Sequence, residues 1–363
     1  MFSNKSLSHG GNLLFASKEF NRDEFLDFSS NINPMGVPEE FKKLIINNIE
    51  KLSSYPNIDY IELKKDIANY IGVEERFILP TNGATEAIYL ILQNLKFKKV
   101  LMPVPSFSEY DNACRNFDID VEYYFTKEEE DFKINIDELK EIISDGEVDS
   151  VFLCNPNNPT SQLINRNDLL NLLKFAMDED VFILIDESFI DLIKDEEDYT
   201  MRGYIEEFSN LIIIQSFTKF FAVPGIRIGF LMGDPALLEV MFNEKMPWSI
   251  NYFASLIGCI LDKDSDYVKK TKTWINEEVL WFYNELKKFK RIKVFKPNTN
   301  FILIKLEDKN LTSHELRKSL GKEGILIRDC SNFKGLNEKF IRVAIKDREK
   351  NKKLLEKLKI FIR

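Results

Sequence analysis

The chain has 363 residues, 44% hydrophobic and 30% charged, a size and balance that call for two packed units rather than one small core. Its net charge of −9 argues against nucleic acid and anionic membrane as partners, because binding to polyanions rests on clustered Lys and Arg. No apolar run approaches the roughly 18 residues of a membrane span. The opening MFSNKSLSHGGNLLF lacks a secretory pattern, and Cys114, Cys154, Cys259 and Cys330 form no CxxC pair. A cytoplasmic protein with reduced thiols and no metal site is therefore expected.

In chain order, IELKKDIANYI and ATEAIYLILQNL have helical periodicity, and KKVLMP and VDSVFLCN read as strands. DLLNLLKFAMDE is helical again, followed by the strands VFILIDES and NLIIIQSF. This alternation between about residues 60 and 240 marks an α/β fold with a parallel sheet wound by helices. VDSVFLC, VFILI and LIIIQ are apolar at nearly every position, as central strands covered on both faces should be. Polar clusters follow each of them directly: Asn155 to Thr160, Asp186 to Glu187, and Ser216 to Lys219. Open α/β sheets bind ligands at those carboxyl ends.

Past residue 250 the pattern changes to a long helix, YVKKTKTWINEEVLWFYNELKKF, then short strands KVFKP, NFILIKL, GILIRDC and FIRVAIK. These make a smaller α+β unit. The basic tail KDREKNKKLLEKLKIFIR reads as an amphipathic helix, with Leu354, Leu355, Leu358 and Ile360 near helical spacing. Arg328 and Arg342 each stand in an apolar strand and call for an anionic partner, since an unpaired buried charge is costly.

The stretch Ser216 to Arg227 carries the most chemistry. A lysine at the end of a buried strand can have its ammonium destabilised by desolvation and neighbouring cations, which frees an amine to attack an aldehyde. Lys219 has that place, and Ser216 and Arg227 suit a phosphate monoester. Asp186 could pair with a protonated pyridine nitrogen, although a helix cap or metal ligand would use the same residue type. The Asn158 amide, in the turn CNPNNPTS, could donate to a phenolic oxygen or simply shape the turn. Gly83, Ala84 and Thr85 open a helix, where backbone N–H groups bind phosphate. Phe107 could lie against a ring, with Tyr110 as the competing candidate.

In order and spacing these residues resemble the aspartate aminotransferase superfamily of pyridoxal 5′-phosphate (PLP) enzymes, fold type I, over essentially the whole chain. The resemblance implies a large domain with a mostly parallel seven-stranded sheet, here 44–247. It also implies a smaller α+β domain formed by both termini, here 1–43 and 248–363. It assigns phosphate binding to Gly83, Ala84, Thr85, Ser216 and Arg227, with Thr218 also in the cofactor site. Phe107 would face the ring, Asn158 its phenolic oxygen and Asp186 its nitrogen, and Lys219 would carry the cofactor. Tyr55, in SSYPN, would reach the neighbouring subunit's cofactor phosphate, which implies a homodimer.

Two branches are similar: the histidinol-phosphate aminotransferases and the L-threonine-O-3-phosphate decarboxylases of cobalamin biosynthesis. HGGN at 9 to 12, LDFSSNINPMGVP at 26 to 38, KMPWSIN at 245 to 251, and ILIRDCSNFKGL before FIRVAIK resemble the decarboxylases more. That branch implies a phosphorylated amino acid as substrate, decarboxylated to (R)-1-amino-2-propanol O-2-phosphate. Arg328 and Arg342 would take its carboxylate and a second anion, with His9 and Asn31 near its phosphate. Two departures stand out: Ser161 replaces a glycine expected at positive φ, and Phe189 replaces the tyrosine that aminotransferases direct at the phenolic oxygen.

Overall fold

The computed structural model describes residues 10–362. The expectation for His9 falls outside the described residues. Among those described are thirteen strands: β1 (Leu26–Asp27), β2 (Ile78–Thr81), β3 (Lys99–Val104), β4 (Asp120–Phe125), β5 (Ser150–Cys154), β6 (Phe182–Asp186), β7 (Leu211–Gln215), β8 (Gly229–Met232), β9 (Ile292–Val294), β10 (Phe301–Leu306), β11 (Ile325–Leu326), β12 (Arg328–Asp329) and β13 (Phe340–Ala344).

Seven of them form one sheet in the order β2-β8-β7-β6-β5-β3-β4. Only β8 runs antiparallel to its neighbours, β2 and β7. The continuous apolar runs exist because both faces are covered. Ile183, Ile185, Leu211 and Ile213 face one hydrophobic cluster, while Leu184, Ile212 and Ile214 face the other. At roughly 25 cal/mol per Å2, burying such side chains on two faces outweighs any local preference of the strands. A charge placed at Leu184 or Ile212 would break that layer.

The smaller sheet has the order β12-β13-β10-β9 and is antiparallel. GILIRDC, expected as one strand, is interrupted at Ile327. Its first half, β11, pairs in parallel with β1 from the N-terminal segment, and its second half, β12, pairs with β13. One short segment thus serves two sheets and draws residues 26 to 31 against the C-terminal unit. The C-terminal helix Arg348–Phe361 buries Leu354, Leu355 and Leu358, but Ile360 is exposed, falling outside the apolar stripe.

Polar and apolar contacts fasten the smaller sheet to the larger. Glu128, beyond β4, accepts from Lys305 Nζ at 2.9 and 2.6 Å. Phe132 packs in a cluster with Phe295, Leu303, Cys330, Phe333 and Phe340. Among the described residues no helix is long and apolar enough to cross a membrane.

Candidate active site

The carboxyl ends of β5, β6 and β7 converge on a cavity of about 220 Å3. It is lined by Ala84, Thr85, Phe107, Asn158, Asp186, Ser216, Thr218, Lys219 and Arg227 from the large sheet's side. Gly10, Asn31, Arg328 and Arg342 line it from the other side. Residues up to 332 positions apart in sequence are therefore brought together by the topology. Gly83 lies just behind the lining and Tyr55 lies away from it.

The first wall is a close-packed cradle. Gly83 has φ +73°, and a Cβ there would stand 2.6 Å from Arg227 Nη2. A Cβ on Gly229 would meet Ala84 N, Gly83 C and Gln215 O, all at 2.8 Å. These close approaches press the start of helix Gly83–Leu95 against the strand ends, where its N–H groups and the Arg227 guanidinium face the same space. Ser216 Oγ, 2.9 Å from Thr218 Oγ1, donates to Ile228 O at 3.0 Å and completes the rim.

At the floor, Asp186 ends β6 and is buried. Its Oδ1 accepts from Ser188 N at 2.9 Å and its Oδ2 from the Tyr110 hydroxyl at 2.7 Å. Burial raises the Asp186 pKa, opposed by the hydrogen bonds from Ser188 and Tyr110. The carboxylate is thereby fixed in orientation yet favours a cationic partner facing it.

Opposite lies Lys219, half-buried because its chain opens into the cavity. Desolvation first, then Arg227 and Arg342, lower its pKa to about 8. Near neutrality a useful fraction is the free amine, the nucleophile an aldehyde requires.

Phe107 and Tyr110 both line the cavity but differ in their contacts. Phe107 is half-buried, whereas Tyr110 is fully buried, stacked on Phe152 with centroids 4.2 Å apart and engaged to Asp186. Its use as a carboxylate anchor was not anticipated. The only hint is its spacing, three residues after Phe107 on one helical turn.

The second wall is cationic. Arg328 and Arg342 stand directly opposite each other in the β12–β13 ladder, both buried. Like charges facing across strands destabilise a sheet unless an anion lies between them. Phe333 lies under Arg328 at 5.0 Å and Phe301 under Arg342 at 5.3 Å, so aromatic faces support both guanidinium groups. Burial lowers the pKa of each, that of Arg342 to about 10.

Arg342 Nη1 donates to Asn158 Oδ1 and Nη2 to Ser29 O at 2.8 Å, while its Nε has no hydrogen-bond partner among the described residues. Because the Asn158 oxygen is taken, its Nδ2 is the group left for a ligand. Asn31 is buried with Oδ1 unpartnered among the described residues. Gly10 packs so tightly on the Ser29 carbonyl that a Cβ would come 2.0 Å from the oxygen.

The two departures from pattern are accommodated differently. Ser161 does take the left-handed conformation, φ +61°. Its Oγ accepts from Asn298 N at 2.8 Å and Thr299 N at 3.1 Å, and its carbonyl accepts from Asn298 Nδ2 at 2.8 Å. Phe189 lines the cavity and packs edge-on against Phe301, centroids 5.1 Å apart, offering no donor. Tyr55 is 80% exposed and packs on Trp248, centroids 4.8 Å apart.

Lysine, carboxylate, helix start and arginine around one cavity fit an aldehyde-bearing aromatic phosphate. A protein of Caldanaerobacter subterraneus named provisionally as a threonine-phosphate decarboxylase is 41% identical over 91% of this chain and 88% of its own. The threonine-phosphate decarboxylase of Salmonella typhimurium is 32% identical over 97% of this chain and 96% of its own. The crystal structure of a histidinol-phosphate aminotransferase from Clostridium acetobutylicum superposes with a TM-score of 0.85 at 38% identity, covering 92% of this chain and 98% of that one. The family model of aminotransferase class I and II matches residues 23–358, and the chain belongs to that family.

Proposed function

We propose that the protein is a PLP-dependent carboxy-lyase that converts L-threonine O-3-phosphate to (R)-1-amino-2-propanol O-2-phosphate and CO2, a step of cobalamin biosynthesis. The observation that carries this is the pair of buried arginines facing each other across β12 and β13, beside Asn31 and across the cavity from Lys219. A substrate with a carboxylate and a phosphate would bring two anions to this cationic wall. The names of the two relatives above, at 41% and 32% identity, support the same choice.

Bound pyridoxal phosphate would supply an electron sink for whichever bond at the substrate's α-carbon stands perpendicular to its ring. Gly83, Ala84, Thr85, Ser216, Thr218 and Arg227 would hold its phosphate end. Phe107 would cover one face, Asn158 Nδ2 would donate to its phenolic oxygen, and Asp186 would pair with its nitrogen. The Lys219 amine would hold its aldehyde end, and as a free amine it could move a proton at the substrate's α-carbon. Arg342 and Arg328 orient the carboxylate and the second anion, choosing the bond that breaks. When the carbon–carbon bond breaks, CO2 leaves and one proton is taken up at the α-carbon, so the step balances without an oxidant.

We further infer a cytoplasmic homodimer, with 44–247 as the cofactor-binding unit and the two terminal segments as its companion. Ile58, Met246 and Trp248 are exposed along one groove, Tyr55 is exposed and packs on Trp248, and Arg227 is exposed in the single chain. Tyr55 of one copy would close the phosphate end of the other.

A second reading, amino transfer from histidinol phosphate, is favoured by the likeness to the aminotransferase structure at 38% identity. Phe189 counts against it, since a phenyl ring cannot donate where that branch has a tyrosine hydroxyl. The deciding assay supplies the holoenzyme with L-threonine O-3-phosphate and follows CO2, in parallel with 2-oxoglutarate-dependent transfer from histidinol phosphate. CO2 without transfer supports the lyase, and transfer without CO2 overturns it.

A further inference from the structure

Residues 29 to 32 form an irregular stretch whose carbonyl groups are all directed at side chains of the C-terminal unit. Ser29 O accepts from Arg342 Nη2 at 2.8 Å and Asn31 O from Asn300 Nδ2 at 3.0 Å. Ser30 O and Ile32 O both accept from a single group, Lys346 Nζ, at 3.0 and 3.3 Å. Unstructured backbone near a core needs every polar group accounted for, and here one side of the stretch is satisfied completely by side chains. The other side is not. Asn31 lines the cavity with no side-chain hydrogen bond to the described residues, so its Nδ2, like the N–H groups of Ser30, Asn31 and Ile32, is a donor without a partner among them.

We propose that Lys346 is a positioning residue of the active site, clamping the two carbonyls that flank Asn31 so that the Asn31 amide and adjacent N–H groups are presented to the substrate's anionic group. This deepens the decarboxylase reading and rests on it. Lys346 follows β13, four residues after Arg342. The β13 end therefore supplies both a guanidinium for the substrate and an ammonium that holds its neighbour.

Lys346 makes no ion pair with a carboxylate among the described residues. The nearby acids are Asp27, already accepting from Ser29 N at 2.8 Å and Ser29 Oγ at 2.5 Å, and Asp347, which pairs with Lys350. Its charge is thus not spent on a stabilising bridge. Two carbonyl acceptors spare the ammonium the full desolvation cost. A purely structural lysine would be replaceable by any side chain that fills its volume. A clamp requires a donor that reaches both carbonyls.

The test uses holoenzyme and L-threonine O-3-phosphate, with CO2 release for KM and kcat and the cofactor's visible band titrated for the substrate dissociation constant. K346M is expected to raise KM and the dissociation constant at least about tenfold with kcat within about threefold, the pattern of lost ground-state binding. K346R keeps a two-pronged donor and should recover most of the affinity. In the double variant N31A/K346M the loss should be no larger than in N31A, because clamp and amide act as one unit.

N300A, which removes the other side-chain donor to this stretch, provides an independent check and should raise KM in the same way if K346M fails to fold. Unchanged KM in K346M, or in N300A should K346M not fold, overturns the proposal, as do additive losses in the double variant. A wild type that releases no CO2 overturns the decarboxylase reading and this one with it. A normal wild type with an unaffected K346M overturns the role of Lys346 alone.

Discussion

The two walls of the cavity are built on opposite plans. On the large-sheet side Asp186 is tied at both oxygens, and Gly83 and Gly229 are packed too closely to admit a Cβ. On the other side Arg328 faces Arg342, and Arg342 Nε and Asn31 Oδ1 are without partners among the described residues. Groups tied at every atom by the protein itself are pre-formed for a resident group, whereas an open Nε on a buried arginine leaves a donor for something that comes and goes. The proposed function places the cofactor on the first side and the substrate on the second.

The contrast breaks most severely at Lys219, the group between the walls. K219A should lower turnover by at least about 10^3-fold and abolish the band that borohydride-sensitive attachment of the cofactor gives. Retention of that attachment at another lysine would remove the basis of the proposed function. The cofactor-free protein offers a pH test of the same group. The Lys219 pKa is about 8 in the fold against 10.5 for the free side chain, lowered by burial, Arg227 and Arg342 and opposed by Asp186. Between those values the unfolded chain holds a proton that the folded one has released, so stability should rise with pH from about 8 and level off above 10.5. Lys346 is depressed to about 8 as well, by burial first, and contributes a similar rise. K219M should therefore flatten roughly half of the increase in thermal denaturation curves.

Next in size is the substrate wall. R342A should cost about 2–5 kcal/mol of transition-state binding, seen as a loss in kcat/KM, while the cofactor's band persists. R342K should recover little, since an ammonium cannot reach Asn158 and Ser29 together in the way two guanidinium nitrogens do. Loss of the cofactor in R342A would erase the distinction between the walls.

The same contrast decided what could be read from the sequence. Asp186, Asn158 and Lys219 follow strands whose apolar runs are covered on both faces, so local pattern alone located them at one sheet edge. Arg328 and Arg342 were legible as buried charges in strands, but not as direct opposites, because register depends on how far β13 and β12 slide past each other. The break at Ile327 was invisible, since Ile325, Leu326 and Ile327 are a continuous apolar run and only the two different partners on either side divide the segment. Tyr110 reads as a ring-facing residue because spacing does not tell which side of β6 a helix presents it to. Lys346 had no local signal at all; its partners are about 315 residues away in sequence, at Ser30 and Ile32.

Ser161 joins the two walls, and its substitution separates strain from hydrogen bonding. S161A keeps a Cβ at φ +61° and leaves the Asn298 and Thr299 N–H groups without their acceptor, which should cost about 1–3 kcal/mol in denaturant unfolding. S161G loses the same acceptor but relieves the left-handed strain, so it should be less destabilised than S161A by roughly 0.5–1 kcal/mol. Equal stabilities would mean that the turn relaxes around the serine.

The smallest effect belongs to Tyr110, and it sharpens the idea of a pre-formed floor. Y110F keeps the ring stacked on Phe152 and removes one neutral donor to a buried carboxylate, a loss of about 1 kcal/mol in stability. Without that donor the Asp186 carboxylate is less favoured and its pKa rises further, so its hold on a protonated ring nitrogen weakens. Cofactor affinity should fall several-fold, and the visible band should become more sensitive to acid, while KM for the substrate stays near the wild-type value. A change in KM without a change in cofactor affinity would place Tyr110 with the substrate wall instead, and the floor would then have only the Ser188 N–H to hold its carboxylate.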